Sequence, residues 1–494
     1  MRTAPSLPFV VALLAWTAVP GAERWVNATA PASGDGSQAH PFQRLTEALR
    51  VSESPLHIHL APGRYTGPFE LPPQTFVDGP ETAVLTAEGL VTVLHAPGEV
   101  TLKGFSVVGG AEGLISGGNS TLSRLKFRGQ RRAALIVSGG MLALNDTEFQ
   151  TSLTEVLGLV LEKEGSARVS RTRWSGPFST AIEAHFAAPR AASPSSLEVS
   201  DATVEGAVRG LRLVNAGTVS LRRLTVRGGS GDGVLIARTH ATFDTVLTVG
   251  HEYGLSLGEG AEVEGRNLRV LRAQRAGIAI THAQATLRDV RVIQSGDFGG
   301  VQVIRGNLWM ERFRIEDSQS YGLTARNSRV VLRDGTISNT LDPDGITGDG
   351  LQLRYSEAQL VSVYVDHSAN YGLLSAEGSR TTLVDVTLAN NGAAGAVVET
   401  QGYLGGVAVT VDGSGGPGLI VMLGSASLDG WTFQRLQGPA LAPDCEAGAV
   451  VKTHHVSDTS SSAASAHCIR GSAALAPQLW TLESWKPKVP GSGR

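Results

Sequence analysis

The chain has 494 residues, long enough for several ordinary domains or one extended repeat array. Its formal net charge of −3 gives no reason to expect a nucleic acid or an acidic membrane surface as partner. Glycine is abundant at 60 residues and aromatics make up only 5 %, a profile of many turns and thin layers of small side chains.

At the N-terminus, Arg2 precedes the apolar run "PFVVALLAWTAV" and the small residues "PGA" before Glu23. A run of about a dozen apolar residues falls short of the ~20 needed to span a bilayer. Residues 1–22 therefore read as a signal peptide, cleaved after Gly21 or Ala22, and the mature chain as exported: secreted, at the cell surface or periplasmic. No later segment is long and apolar enough to predict a membrane span. In "HPFQRLTEALRV" (40–51), Phe42, Leu45, Ala48 and Leu49 fall on one helical face with Pro41 near its start, predicting a helix that caps the first coil of whatever follows. Residues 23–99 are assigned to this cap and the first coils.

From about residue 100 the chain repeats itself. "TVSLRRLTVRGGSGDGVLIARTH" (218–240) and "QATLRDVRVIQSGDFGGVQVIRG" (284–306) share one pattern of three short alternating runs, such as Val219-Ser220-Leu221, Leu224-Thr225-Val226 and Val234-Leu235-Ile236. Period-2 alternation marks half-buried strands. A small residue opens the third run at fourteen positions from Gly113 through Gly233, Gly300 and Gly350 to Gly418, at a spacing near 23 residues. Three strands in such a period predict a parallel β-helix with each unit one coil, here over residues 100–425. No unit carries the 3.6-residue stripe of a helical repeat, and a propeller blade would need about 40 residues and four strands. Fourteen coils at ~4.8 Å each make a rod of roughly 65 Å.

The opening segment adds a specific likeness. "WVNATAPASGDGSQAHPFQRLTEALR" (25–50) followed by "LHIHLAPGRYTGPFELPPQTFVDG" (56–79) resembles the start of secreted right-handed β-helix proteins of the pectate-lyase-like superfamily. The matching residues are Trp25, Val26, Gly34, Asp35, Gly36, Pro41, Phe42, Ala48, Leu49, Ile58, Leu60, Pro62, Gly63 and Tyr65. The resemblance implies a right-handed coil and action on, or binding of, an extracellular polysaccharide. It supplies no catalytic residue, because no lyase, polygalacturonase or epimerase motif is matched.

Candidate chemistry comes from stacking the units. The outward position of the second run reads, coil by coil, Thr225, Leu247, Arg269, Arg291, Arg314, Thr336, Tyr364, Thr387 and Thr410. Nearly all basic charge in the chain is arginine, whose planar fork pairs bidentately with carboxylates. Arg269, Arg291 and Arg314 on successive strands repel one another unless an anion lies across them, and Tyr364 could stack on a sugar. Against a ligand track stand Asp289, Glu311, Glu316, Asp317 and Asp334, close enough in sequence to neutralise the ladder. An anionic polysaccharide is the expected partner.

Two insertions lengthen the repeat. "HFAAPRAASPSS" (185–196) carries no chemistry. "NTLDPDGITGDGLQL" (339–353) places Asp342, Asp344 and Asp349 beside the second-run sheet near Arg314 and Tyr364. These carboxylates could hold calcium, work as an acid/base pair, or solvate an exposed turn. "GLSLG" (254–258) spells a nucleophile elbow, but Ser256 falls in a third run rather than a strand–turn–helix. His454-His455, His240, His251, His282 and His367 show no metal spacing and read as surface or corner histidines. Residues 426–494 lose the repeat and read as a C-terminal cap and tail. Cys445 and Cys468, the only cysteines, read as a disulfide there, worth ~3 kcal/mol by loop closure.

The expectation is an exported right-handed parallel β-helix that binds or processes an acidic polysaccharide, as a lyase, epimerase or glycosidase if catalytic. The rivals are a non-catalytic surface or matrix rod, and a periplasmic carrier of sugar chains.

Overall fold

The computed structural model describes residues 21–163, 165–186, 195–460, 469–471 and 481. Residues 1–20 of the expected signal peptide and 187–194 of the first insertion lie outside the described residues, as does Cys468, so the expected pairing of Cys445 is not described. The fold is an all-β parallel solenoid, and every strand pairing within it is parallel. Among the described residues no helix is long and apolar enough to cross a membrane.

A coil is built as its alternation dictates. In the unit 218–240, Val219, Leu221, Leu224, Val226, Val234 and Ile236 are all buried at 1 % exposure or less, and the intervening side chains face out. Identical positions stack from coil to coil. Phe127, Phe149 and Trp174 form one interior column, with ring centroids 5.0 and 5.2 Å apart and planes within 10° and 5° of parallel. That spacing matches the ~4.8 Å between hydrogen-bonded strands.

The recurring small residue is a contact requirement. A Cβ on Gly322 would sit 2.3 Å from Ile337 Cγ2 and 2.6 Å from the carbonyl oxygen of Gly350 on the next coil. Gly300 is as tightly placed, against Ile315 Cγ2 at 2.3 Å and the Gly322 carbonyl at 2.7 Å. The first two runs, expected as separate strands, are continuous in the middle coils, as in Thr218–Arg227 and Gln284–Ser295. One left-handed residue per coil bends them: Arg223 (φ 48°), Thr245 (65°), Asn267 (55°), Asp289 (56°), Arg312 (49°) and Asp334 (51°). Because neighbouring coils share that conformation, the ladder skips only the bend residue and resumes beyond it in the same register. The positive φ also interrupts alternation, so two consecutive side chains face outward at each corner.

The solenoid has about 17 turns rather than fourteen. The additional third-side strands are Phe69–Glu70, Leu94–Ala96 and Leu441–Pro443. Extending the register of the first two puts Pro68 and Val93 where later coils carry glycine or alanine, so the period is invisible there. At ~4.8 Å per turn the rod is roughly 80 Å long. Strand pairing also continues beyond residue 425, through Ser425–Asp429, Val450–His454 and Ile469–Gly471. At the other end, the helix expected over 40–51 is limited to Leu45–Ala48, with Leu45 and Ala48 buried and the Arg44 amide donating to Glu47 Oε2 at 3.0 Å.

Replacing Gly322 by alanine should therefore destabilise the solenoid by about 1–3 kcal/mol, the cost of forcing a methyl group into a filled interior. Urea unfolding of the two proteins measures this; an unchanged midpoint would show that adjacent coils can separate.

Candidate functional site

The second-run column is assembled in the order expected. Register pairs run Thr225–Leu247, Leu247–Arg269, Arg269–Arg291, Arg291–Arg314, Arg314–Thr336, Thr336–Tyr364, Tyr364–Thr387 and Thr387–Thr410. All three arginines are exposed, as is Tyr364 at 40 %. Glu316, in the adjoining outward column, takes Arg314 at 2.5 Å and Arg291 at 3.4 Å. Arg269 makes no ion pair among the described residues. One carboxylate thus serves two guanidinium groups, and the three-residue ladder keeps a net positive charge.

The neighbouring corner column is organised differently. Asp146–Arg171 (2.6 Å), Asp201–Arg223 (2.5 Å), Asp244–Arg266 (2.6 Å) and Asp289–Arg312 (2.7 Å) pair opposite charges across coils. The Arg312 guanidinium lowers the Asp289 carboxyl below the usual carboxylate range, and Arg223 does the same to Asp201. These acids neutralise their own corner; only Glu316 turns toward the ladder.

The acidic insertion occupies the coil whose first two runs form the strand Arg329–Thr340, between the coils of Arg314 and Tyr364. It divides the three aspartates into two environments. Asp342 Oδ1 and Asp344 Oδ1 both accept from the amides of Ile346 (3.1 Å each) and Thr347 (3.2 and 3.0 Å). The Thr347 hydroxyl also donates to Asp344 at 2.8 Å. That hydroxyl first, and then the Thr347 and Ile346 amides, pulls the Asp344 carboxyl down to about 2. An acid so depressed stays ionised near neutral pH and makes a poor general base or acid. Both side chains close the turn on itself.

Asp349 is buried at 2 % exposure where the third run opens. Its Oδ2 accepts from Gln352 Nε2 at 3.1 Å, and its Oδ1 from Asn370 Nδ2 at 3.0 Å and the Tyr371 amide at 3.3 Å. Burial outweighs these donors and pushes the carboxyl up to about 6. Tyr321 pairs with it in register on the preceding coil. The three aspartates therefore form no joint set of metal ligands: Asp349 keeps its own cage, and the calcium expectation would rest on Asp342 and Asp344 with backbone carbonyls.

Sequence reasoning missed a recurring position. Glu112 and Asp232, like Asp349, stand immediately before a small residue that opens the third run, and are buried at 7 % and 8 %. An acid directly before the repeat glycine was the available signal. Two histidine expectations also change. His251 lies in the interior at 1 % exposure, its ring lowered to about 4 by burial, and not at the surface. His454 and His455 converge on Asp429, a carboxylate from the coil before.

The family described as "Right handed beta helix region" matches residues 253–415, the stretch that carries the arginine ladder and the acidic insertion. The expected likeness to right-handed β-helix proteins stands on that match and on the parallel solenoid. No curated protein matches the sequence at a significant level. Among solved structures, the pectate lyase Pel9A is 14 % identical, with 53 % of this chain and 78 % of that one covered and a TM-score of 0.37. An alginate lyase in complex with G6 is 10 % identical, with 84 % of each chain covered and a TM-score of 0.31. The A-module of the mannuronan C-5 epimerase AlgE6 from Azotobacter vinelandii is 12 % identical, with 88 % of this chain and all of that one covered (100 %) and a TM-score of 0.23.

The Asp349 environment sets a pH dependence. Its folded value of about 6 lies above the ordinary ~3.9, so its stabilising contribution is fully present below about pH 4 and lost as pH rises through about 6. Asp349→Asn mimics the protonated form. It should match the native protein near pH 4 and exceed it by about 1–3 kcal/mol near pH 7. Unfolding midpoints across that range check this; a constant difference would remove the buried-acid account.

Proposed function

We propose that this chain is an exported β-helix protein that binds an extracellular acidic polysaccharide along its second-run sheet, with Arg269, Arg291 and Arg314 holding successive carboxylates and Tyr364 offering a ring face to a sugar. The observation that carries the reading is the register: three arginines on three consecutive strands, exposed, with a single acid shared between two of them. A fixed column of guanidinium groups ~4.8 Å apart suits an extended polyanion better than a compact one. Binding along a sheet also needs no deep cavity.

Catalytic processing of the same polymer, by a lyase, epimerase or glycosidase step, is the second reading. Asp349 favours it, because a carboxyl held at about 6 is poised for proton transfer near neutral pH. Its 2 % exposure favours binding alone, since a general base must reach the proton it takes. A non-catalytic surface or matrix role is the same proposal without turnover.

Arg291→Ala should weaken binding to polygalacturonate or alginate roughly 5- to 10-fold, the loss of one charge-assisted hydrogen-bonded contact. Added salt should weaken the native protein more than the variant. Calorimetric titration reads both, and equal affinities for native protein, Arg291→Ala and Arg314→Ala would discard the track. Release of unsaturated or reducing ends that disappears in Asp349→Asn would establish processing; retained binding without such products would establish the non-catalytic form.

A further inference from the structure

The corner between the first and second runs produces one arrangement that neither the track nor the acidic loop uses. At each corner a left-handed residue turns two consecutive side chains outward, and the coil before supplies a third at strand spacing. In several coils these are arginines and carboxylates, which neutralise one another. Near the C-terminal end the arginine is replaced. His454 pairs in register with Asp429, and His455 is the left-handed corner residue, with φ 49°.

The donor atoms are close. His454 Nδ1 lies 2.9 Å from Asp429 Oδ1, and His455 Nδ1 lies 3.5 Å from the same oxygen. The two imidazole centroids are 3.7 Å apart with planes crossed at 60°. One donor atom from each of the three residues falls within 4.8 Å of the other two. A tetrahedral ion with bonds of about 2.0–2.1 Å holds its ligand atoms ~3.3 Å apart, between the two observed carboxylate distances. This is the only such trio of histidine, cysteine or acidic residues among those described.

We infer that Asp429, His454 and His455 form a surface site for a borderline divalent cation of the zinc class. Two imidazoles and one carboxylate suit zinc, nickel or copper, whereas calcium takes oxygen ligands throughout. The His455 side chain is 74 % exposed, which leaves the remaining coordination positions to water or a bound partner group. Elsewhere on the corner column the cation is a guanidinium, which has no lone pair to give. The inference is independent of the polysaccharide reading, since no residue is shared.

The test uses the full mature chain without a polyhistidine tag, freed of metal with a chelator. Zinc titration by calorimetry should give one site per chain, and cobalt should develop the visible absorption of a nitrogen- and oxygen-ligated ion. Affinity should fall at least about 10-fold in Asp429→Asn, His454→Gln or His455→Gln, a loss seen even for groups one step removed from a metal. Polygalacturonate binding should be unchanged in these variants, separating the two sites. Absence of stoichiometric zinc binding in the native chain, or equal affinity in the His454→Gln/His455→Gln double variant, would overturn the site; the cobalt spectrum of the native chain decides independently of whether any variant folds.

Discussion

Everything in this molecule depends on one constraint: each coil must repeat the backbone path of the last at hydrogen-bonding distance. That requirement leaves no room for a side chain at Gly300 or Gly322, where the next coil's carbonyl and an isoleucine methyl already occupy the space a Cβ would take. It also fixes the bends. A left-handed residue in one coil obliges its neighbours to adopt the same conformation if the ladder is to continue, so Arg223, Asp289, Arg312 and Asp334 accept a conformation that costs an ordinary residue ~1–2 kcal/mol. Hydrogen bonds on both sides of each bend and the packed interior outweigh that cost.

The same constraint turns every outward position into a column. Like charges in a column cannot avoid one another by choosing different heights, because the strand spacing fixes them. The corner positions solve this by pairing acid with arginine across coils. The Arg269–Arg291–Arg314 column does not alternate, and Glu316 must be shared between two of its members. A solenoid needs no unbalanced column to fold. Its presence is a property of this sequence and not of the architecture.

This explains which features could be read from residues alone. The period was legible because a steric contact fixes residue size at one position per coil, and size is visible in a sequence. Once the period was known, the order of the second-run column from Thr225 to Thr410 followed by counting, and the strand register agrees with it. The two N-terminal coils were not legible, since Pro68 and Val93 replace the small residue there. The helix was read too long because the apolar stripe begins at Phe42, three residues before the first helical residue, Leu45. Neither the division of Asp342 and Asp344 from Asp349 nor the approach of Asp429 to His454 could be counted out. The first depends on which donors a loop turns inward, and the second joins residues 25 apart through a corner whose bend is made by a histidine.

The position of the acidic insertion follows from the columns as well. Its coil contributes Thr336, the first uncharged residue after the arginines, and the adjoining outward column then passes from Glu316 through Ser338 to Asp366 and Asp412. Asp412 is paired with Arg435, and Asp366 accepts from Asn390 at 2.9 Å with His367 beside it. The unbalanced arginine column therefore ends at the coil that bears the loop, and the acids beyond it have partners of their own. On the polyanion reading proposed above, contacts with the arginine column would end at Arg314. The Asp342 and Asp344 carboxylates are turned onto the amides of Ile346 and Thr347, within the loop itself. Under that proposal the arginines set where the polymer lies, and the length of their column sets how far it is held.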